Sequence, residues 1–443
     1  MSRTSTFIKT VCLIITLMLL PLVPGVQAQG EGTTVASGLN GPMGVLVAPD
    51  GTVWVIDSGT GGDTDLPFNN PQTGQPMTAK FGETAQIVQV SSDGSQTVVA
   101  NLPSVATGMD TIGGARLALV DGTVYATSGQ WLGEADSTAG ENMAAIVSIA
   151  DGQVTEVADI WEFEKSQNPD GHILDSHPYD IVAGPDGNLL VTDAAGNDLL
   201  RVNPASGDIE TVAVFEGLPG PFPNPGRGGA QESDPVPTGV AVGQDGTIYV
   251  GFLSGFPFLP GAAKVVQVSP DGQVSDYATG LSTLTDLVAG PDGNLYAVQF
   301  ADFSEQGPAP NSGRVIRVMP GDASEVVLDG LSFPTAIDFN SNGDAYVTIN
   351  GVGAPGSGEV VMYAGLTNQA GSPLPAPEPV PATEAEQPAQ AEQAAPAAQP
   401  ATEGPAALPQ AGAPGSQTFN GLLLALGVGL VGAGFLLKAR RKG

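Results

Sequence analysis

The chain has 443 residues, with 46 acidic against 14 basic side chains and a formal charge of −32. So acidic a surface repels nucleic acid and anionic lipid, which excludes both as partners of the folded part. The single cysteine, Cys12, rules out a disulfide framework, and it falls in a leader whose removal would leave no thiol chemistry.

Residues 1–28 read as a secretory signal. Arg3 and Lys9 make the positive start, Val11 to Val23 the apolar core, and Val26-Gln27-Ala28 a small-residue cleavage site. Every acidic residue lies between this signal and a C-terminal apolar span, accompanied only by Lys80, Arg116, Lys165, Arg201, Arg227, Lys264, Arg314 and Arg317.

Residues 30–366 repeat. A tight turn recurs at Pro49-Asp50-Gly51, Asp121-Gly122, Pro185-Asp186-Gly187, Asp245-Gly246, Pro291-Asp292-Gly293 and Asn342-Gly343. An apolar strand precedes each turn and a β-rich run follows it, as in Leu189-Leu190-Val191 and Ile248-Tyr249-Val250. A second hairpin comes next, as at Asp93-Gly94, Asp151-Gly152 and Asp271-Gly272. Six such units predict an all-β, six-bladed propeller. The sixth unit lacks its fourth strand, and the stretch Thr34 to Leu39 resembles the fourth strands elsewhere, so the N-terminus is expected to close the ring by completing the last blade.

Residues 367–407 are nearly all Pro, Ala, Glu and Gln, the composition of a disordered spacer. Residues 408–443 begin with Leu408-Pro409-Gln410-Ala411-Gly412, continue through an apolar run from Phe419 to Leu437 long enough to span a membrane, and end in Lys438, Arg440, Arg441 and Lys442. This order resembles a sortase-type Leu-Pro-x-Thr-Gly sorting signal with Ala411 in place of Thr. The resemblance implies cleavage between Ala411 and Gly412; the plain alternative is a single-pass anchor. Either way the protein is expected outside, held to membrane or cell wall by its C-terminus.

The turns within hairpins are short on one face, while the other face carries the long loops, among them Gly59–Glu83, Leu253–Gly261, Lys165–Asp175 and Glu216–Asp234. Binding concentrates in such loops, so the elaborated face at the mouth of the central channel is the expected working face. Aligned on their turns, the first strands bring Gly44, Arg116, Asp180, Gly239, Asp286 and Ala336 toward the axis. Asp180 and Asp286 with Arg116 could bind a cation, calcium above all, hold a polar ligand, or act in acid–base work; the other reading is a buried ion pair that fixes strand starts. His177 and Tyr179 adjoin this group as ligand candidates, although the run from Asn168 to Asp180 has no metal-ligand spacing and its histidines are expected at the surface. Asp57, Asp63 and Asp65 could offer oxygens to calcium but lack the ordered spacing of a calcium loop. Pro221-Phe222-Pro223 and Phe256-Pro257-Phe258 are apolar stretches on the same face, and Ile160 to Lys165 is expected to form a short amphipathic helix beneath them.

Leu189 to Val202, with Asp193, Asn197 and Arg201, is similar to an NHL repeat. Asn168-Pro169-Asp170-Gly171, Pro178-Tyr179, Asp193 to Val202 and Ser254 to Phe258 together resemble the ScyD/ScyE family, exported propeller-like proteins named from a scytonemin gene cluster. The resemblance implies a six-bladed fold and export, and it carries over no catalytic residue. The sequence therefore favours a surface-displayed, non-enzymatic module that binds an extracellular ligand or partner. The alternatives are a calcium-dependent six-bladed hydrolase or lactonase with Asp180 and Asp286 near the metal, and a structural envelope protein.

Overall fold

The Asp-Gly turns build the fold locally. In four of them the Asp carboxylate accepts the backbone N–H two residues on: Thr52 to Asp50, Asn188 to Asp186, Thr247 to Asp245 and Asn294 to Asp292, at 2.9 to 3.2 Å. The glycine that follows supplies the positive φ that reverses the chain, +81° at Gly187 and +82° at Gly246. Each turn joins two short antiparallel strands.

The computed structural model describes residues 32–69, 76–108, 110–304 and 306–375. The expected signal, most of the spacer, the Leu408–Gly412 motif and the apolar span with its basic tail lie outside the described residues. Among those that are described, no helix is long and apolar enough to cross a membrane. Six antiparallel sheets of four or more strands follow one another along the chain. Their first strands are Pro42–Val47, Gly114–Val120, Pro178–Ala183, Pro237–Val242, Leu284–Ala289 and Ile337–Phe339. Each first strand packs on the next, and that of blade 6 packs back on that of blade 1. The arrangement is a six-bladed β-propeller.

The last blade is closed as the sequence suggests. Thr33–Leu39 pairs antiparallel with Gly358–Tyr363, so the outer strand of blade 6 comes from the start of the chain. Ala36 and Leu39 are buried there against Val360 and Val88. Beyond residue 366 the chain adds Ser372–Pro373 to the outer strand of blade 5.

Between the blades lie apolar seams, as where Leu190, Leu199 and Phe215 of blade 3 meet Val240, Val250 and Phe252 of blade 4. The one α-helix among the described residues, Ile160–Gln167, is set by its ends. Asp159 caps the start by accepting from Glu162 N at 2.8 Å, and Asn168 ends it at φ +37°, donating its N–H to Glu164 O. Ile160, Trp161 and Glu164 form its buried side.

A recurring device aims side chains at the axis. In blades 1 to 5 the first strand slips register against the second by a bulge, at Pro42/Gly44, Gly114/Leu117, Pro178/Asp180, Pro237/Gly239 and Leu284/Asp286. A bulge leaves one N–H without a ladder partner and turns the strand. In blades 2 and 3 a threonine hydroxyl on the second strand accepts the N–H concerned, Thr127 from Arg116 and Thr192 from Asp180; in blade 6, which has no such bulge, Thr348 accepts from Ala336 N.

Deleting residues 33–39 removes two buried side chains and one edge of hydrogen bonds. Its expected cost is about 4 kcal/mol, read as a lower urea midpoint, with self-association through the exposed edge of Gly358–Tyr363. An unchanged midpoint in a monomer would show that the N-terminal strand is not needed for closure.

Candidate functional site

The six axial positions hold one long side chain and five shorter ones. Glycine stands at 44 and 239 because the next blade comes too near for anything larger: a Cβ on Gly239 would lie 2.6 Å from Leu287 Cβ and 2.6 Å from its backbone N. The space freed is taken by Arg116, which is 3% exposed. Its guanidinium donates to the carbonyls of Met43, Ala115, Thr285 and Thr335, the last at 2.7 Å, and so reaches blades 1, 2, 5 and 6. It also lies 4.9 Å from the centre of the Tyr179 ring in blade 3 and 3.5 Å from Asp286 Oδ1.

The two axial aspartates are buried and already bonded. Asp180 accepts from Ile181 N and, across the joint, from Val240 N at 2.6 Å. Asp286 accepts from Leu287 N and from Ile337 N of the next blade at 2.8 Å. Burial, helped by the charge of Asp286, pushes Asp180 up to about 8. Burial also raises Asp286, with Arg116 opposing it. Burial works against the Arg116 charge, and Asp286, Tyr179 and Asp180 outweigh it, so the guanidinium is held above its ordinary range.

These residues do not fit a resident metal. Each carboxylate oxygen of Asp180 and Asp286 already accepts a donor, and a divalent ion there would face a buried guanidinium. The geometry is that of the structural alternative, an ion pair with hydrogen bonds that fix strand starts and joints. Above it an apolar layer fills the mouth, with Met43, Tyr179, Val236, Phe258 and Phe300 in one cluster.

His177 is not at the surface as expected. It is 4% exposed, packs edge-on against Tyr179 at 5.3 Å, and burial lowers it to about 4, so it is neutral near pH 7. His172 is half-buried, with Nε2 3.3 Å from Arg227 Nη1. Asp57, Asp63 and Asp65 do not converge. Asp57 is buried and accepts from Asn40, Gly59 and Gln86 N–H groups, while Asp65 is exposed and pairs with Lys80 at 2.5 Å.

An open concavity lies off the axis, at the rim between blades 3 and 4. It has a volume of about 40 Å³ and is lined by Pro221 to Pro225, Glu232 to Asp234, Phe256 and Pro257. The segment builds itself: Leu218–Asn224 pairs with Ala230–Ser233, and Asn224 Oδ1 caps the turn by accepting from Gly226 N. Arg227 underlies the wall, donating from Nε to Asp234 Oδ1 at 2.7 Å, with Glu232 Oε2 4.0 Å from Nη1. Asn224 donates to the other Asp234 oxygen at 3.1 Å. Phe222, 45% exposed, lies nearly parallel to Phe256 with ring centres 6.2 Å apart. Two rings, several prolines and two carboxylates around one arginine suit a neutral or cationic guest with an apolar face.

Residues 181–353, less than half of the chain, match the SMP-30/Gluconolactonase/LRE-like region family. The propeller is thus similar to that family over its third to sixth blades. A comparison with curated proteins finds no match. Similar solved structures include virginiamycin B lyase from Staphylococcus aureus, 14% identical over 75% of this chain and 98% of that one, with a TM-score of 0.41. A gluconolactonase from Xanthomonas campestris is 13% identical over 76% and 99%, with a TM-score of 0.40. A glucose dehydrogenase-like putative oxidoreductase from Thermus thermophilus is 18% identical over 75% and 99%, with a TM-score of 0.44. At such identities and scores these likenesses carry nothing about activity.

Replacing Arg116 by Met leaves four carbonyls without their donor and Asp286 without its ion pair. The expected loss is about 3–5 kcal/mol, read by urea denaturation, with Lys unable to restore it because it cannot fork to several carbonyls. A loss under 1 kcal/mol, roughly the worth of an exposed pair, would refute the hub.

Burial raises Asp57 to about 6 and Asp110 and Asp338 to about 7. The folded state then keeps these protons to a higher pH than the unfolded chain, whose carboxyls titrate near 3.8. Their contribution is most favourable below about pH 4 and falls as pH rises through 6 to 7. With chelator present, the urea midpoint is expected to be higher at about pH 5 than at about pH 7.5; the reverse order would show that these groups ionise freely in the fold.

Proposed function

We propose that the protein is displayed outside the cell and that its loop-rich face binds a ligand through the rim concavity between blades 3 and 4. One observation carries this: the axis is closed by Arg116 and the apolar layer above it, whereas the rim keeps an open, partly aromatic, partly acidic recess. The guest is neutral or cationic with a flat apolar side, a sugar or an organic ammonium group, since a net charge of −32 disfavours anions. The ScyD/ScyE resemblance and the sorting-type C-terminus belong to this reading as its proposed kinship and address.

A second reading is a hydrolase acting on lactones or esters. The match of residues 181–353 to the SMP-30/Gluconolactonase/LRE-like region favours it over a protein with no activity. On that reading the chemistry moves off Asp180 and Asp286, whose oxygens are already engaged, and onto the loops that cover the mouth.

Both readings meet one experiment. The purified chain is titrated calorimetrically with neutral oligosaccharides and with aryl and quaternary ammonium compounds, and assayed on aliphatic lactones and chromogenic esters with and without calcium. The binding reading expects saturable heat from at least one compound and a loss of about tenfold, roughly 1.4 kcal/mol, in Phe222→Ala. Binding untouched by that change would remove the rim from consideration. Turnover well above the uncatalysed rate would instead establish the hydrolase.

A further inference from the structure

A second charged centre lies away from both the axis and the rim concavity, where the helix Ile160–Gln167 backs onto blade 3. Glu164 projects from the helix, Asn168 caps it, and Asp193 and Asp198 flank the turn between the second and third strands of blade 3. Asp170 and Asp175 come from the segment between.

Matching donors to acceptors leaves a remainder. Asp193 is satisfied: Oδ1 accepts from the N–H groups of His177, Ala195 and Gly196, and Oδ2 from Ser176 Oγ at 2.6 Å. Asp170 accepts from His172 N and Asn197 Nδ2, and Asp175 from Gln130 Nε2. Glu164 Oε1, Asp198 Oδ1 and Asn168 Oδ1 are sealed from solvent and accept nothing. Glu164 is 2% exposed and Asp198 1%. The charges acting on these two carboxyls are all carboxylates: Asp193, Asp170 and Asp175 on Glu164, and Asp193, Glu164 and Asp170 on Asp198. Buried acceptors without donors, surrounded by like charge, are costly unless a cation joins them.

We propose that Glu164, Asp198 and Asn168 hold a calcium ion that ties the helix to blade 3. The donors are all hard oxygens, two of them on carboxylates, which selects calcium or magnesium over softer metals. A helix side chain, a helix cap and a strand end make an irregular set. That suits the six to eight flexible positions of calcium better than the strict octahedron of magnesium, with water and backbone carbonyls completing the shell. Among the described residues no three His, Cys, Asp or Glu side chains already surround one point. Glu164 and Asp198 therefore supply two of the ligands, and the amide oxygen of Asn168 the third. The site is independent of the rim concavity, so either proposal can fail alone.

The test uses the full chain, stripped with chelator and titrated with calcium chloride while heat and melting temperature are followed. One equivalent is expected to bind, raising the melting temperature. Glu164→Gln and Asp198→Asn are each expected to weaken binding at least about tenfold, whereas Asp65→Asn, at an exposed ion pair, leaves it unchanged. Metal-free, both site variants are expected to melt no lower than the metal-free parent, since an amide in place of the carboxyl has no charge to bury. Absence of heat and of any melting shift up to roughly 10 mM calcium, beyond the weakest extracellular calcium modules, would overturn the proposal. So would parental affinity in both variants, metal-free variants that melt well below the parent, or binding of magnesium in preference to calcium.

Discussion

A single guanidinium holds the centre of this propeller together. Arg116 leaves blade 2 and donates to backbone carbonyls of blades 1, 2, 5 and 6, while lying over Tyr179 of blade 3. The remaining joints are tied by side chains that reach one blade ahead. Thr127 donates to Tyr179 O, Asp180 accepts from Val240 N, Thr238 donates to Leu284 O, and Asp286 accepts from Ile337 N. Asp338 and Thr335 return the ring to blade 1 through Val47 N and Pro42 O. Every neighbour contact thus has a buried polar link besides its apolar seam, and directional links fix register where apolar packing alone would tolerate sliding.

That economy explains why the axis is a poor place for chemistry. Six strands converge there, five of them bulged, and the cross-section admits one long side chain. Once Arg116 occupies it, Gly44 and Gly239 follow from steric need, and Asp180 and Asp286 serve as acceptors for neighbouring backbone. The proposed recognition surface lies instead in the loops, above all in the stretch from Leu218 to Asp234, which folds on itself and places Phe222 beside Phe256.

Much of this was legible in the residues. The Asp-Gly turns gave the hairpins, and the orphan strand Thr34–Leu39 pairs as its likeness to the other fourth strands implied. The axial set was also legible, because a constant turn fixes how far the next inward-pointing position lies. The role of that set was not. Whether a carboxylate meets a ligand or a neighbouring N–H depends on a bulge one residue away and on a threonine in another strand, and neither leaves a mark in a single sequence. His177 misled for a related reason: it sits in a loop segment, but that segment dives beneath Tyr179 and is buried. Glu164 gave no signal at all, since an eight-residue helix offers too few turns for an inward carboxylate to stand out from its charged neighbours.

The closure of blade 6 also governs the order of events in making the protein. Thr33–Leu39 emerges early from the ribosome, yet its partner Gly358–Tyr363 is made more than three hundred residues later. Until then the early strand has no place to go and the ring has two open ends. The early blades can form as hairpins, but Arg116 must wait for the carbonyls of Thr285 and Thr335 before its charge is satisfied. Folding is therefore committed only once blade 6 is made, a sequence separation that slows the final step. A product halted before blade 6 would leave Arg116 without the carbonyl of Thr335 and the strand Thr33–Leu39 without its partner.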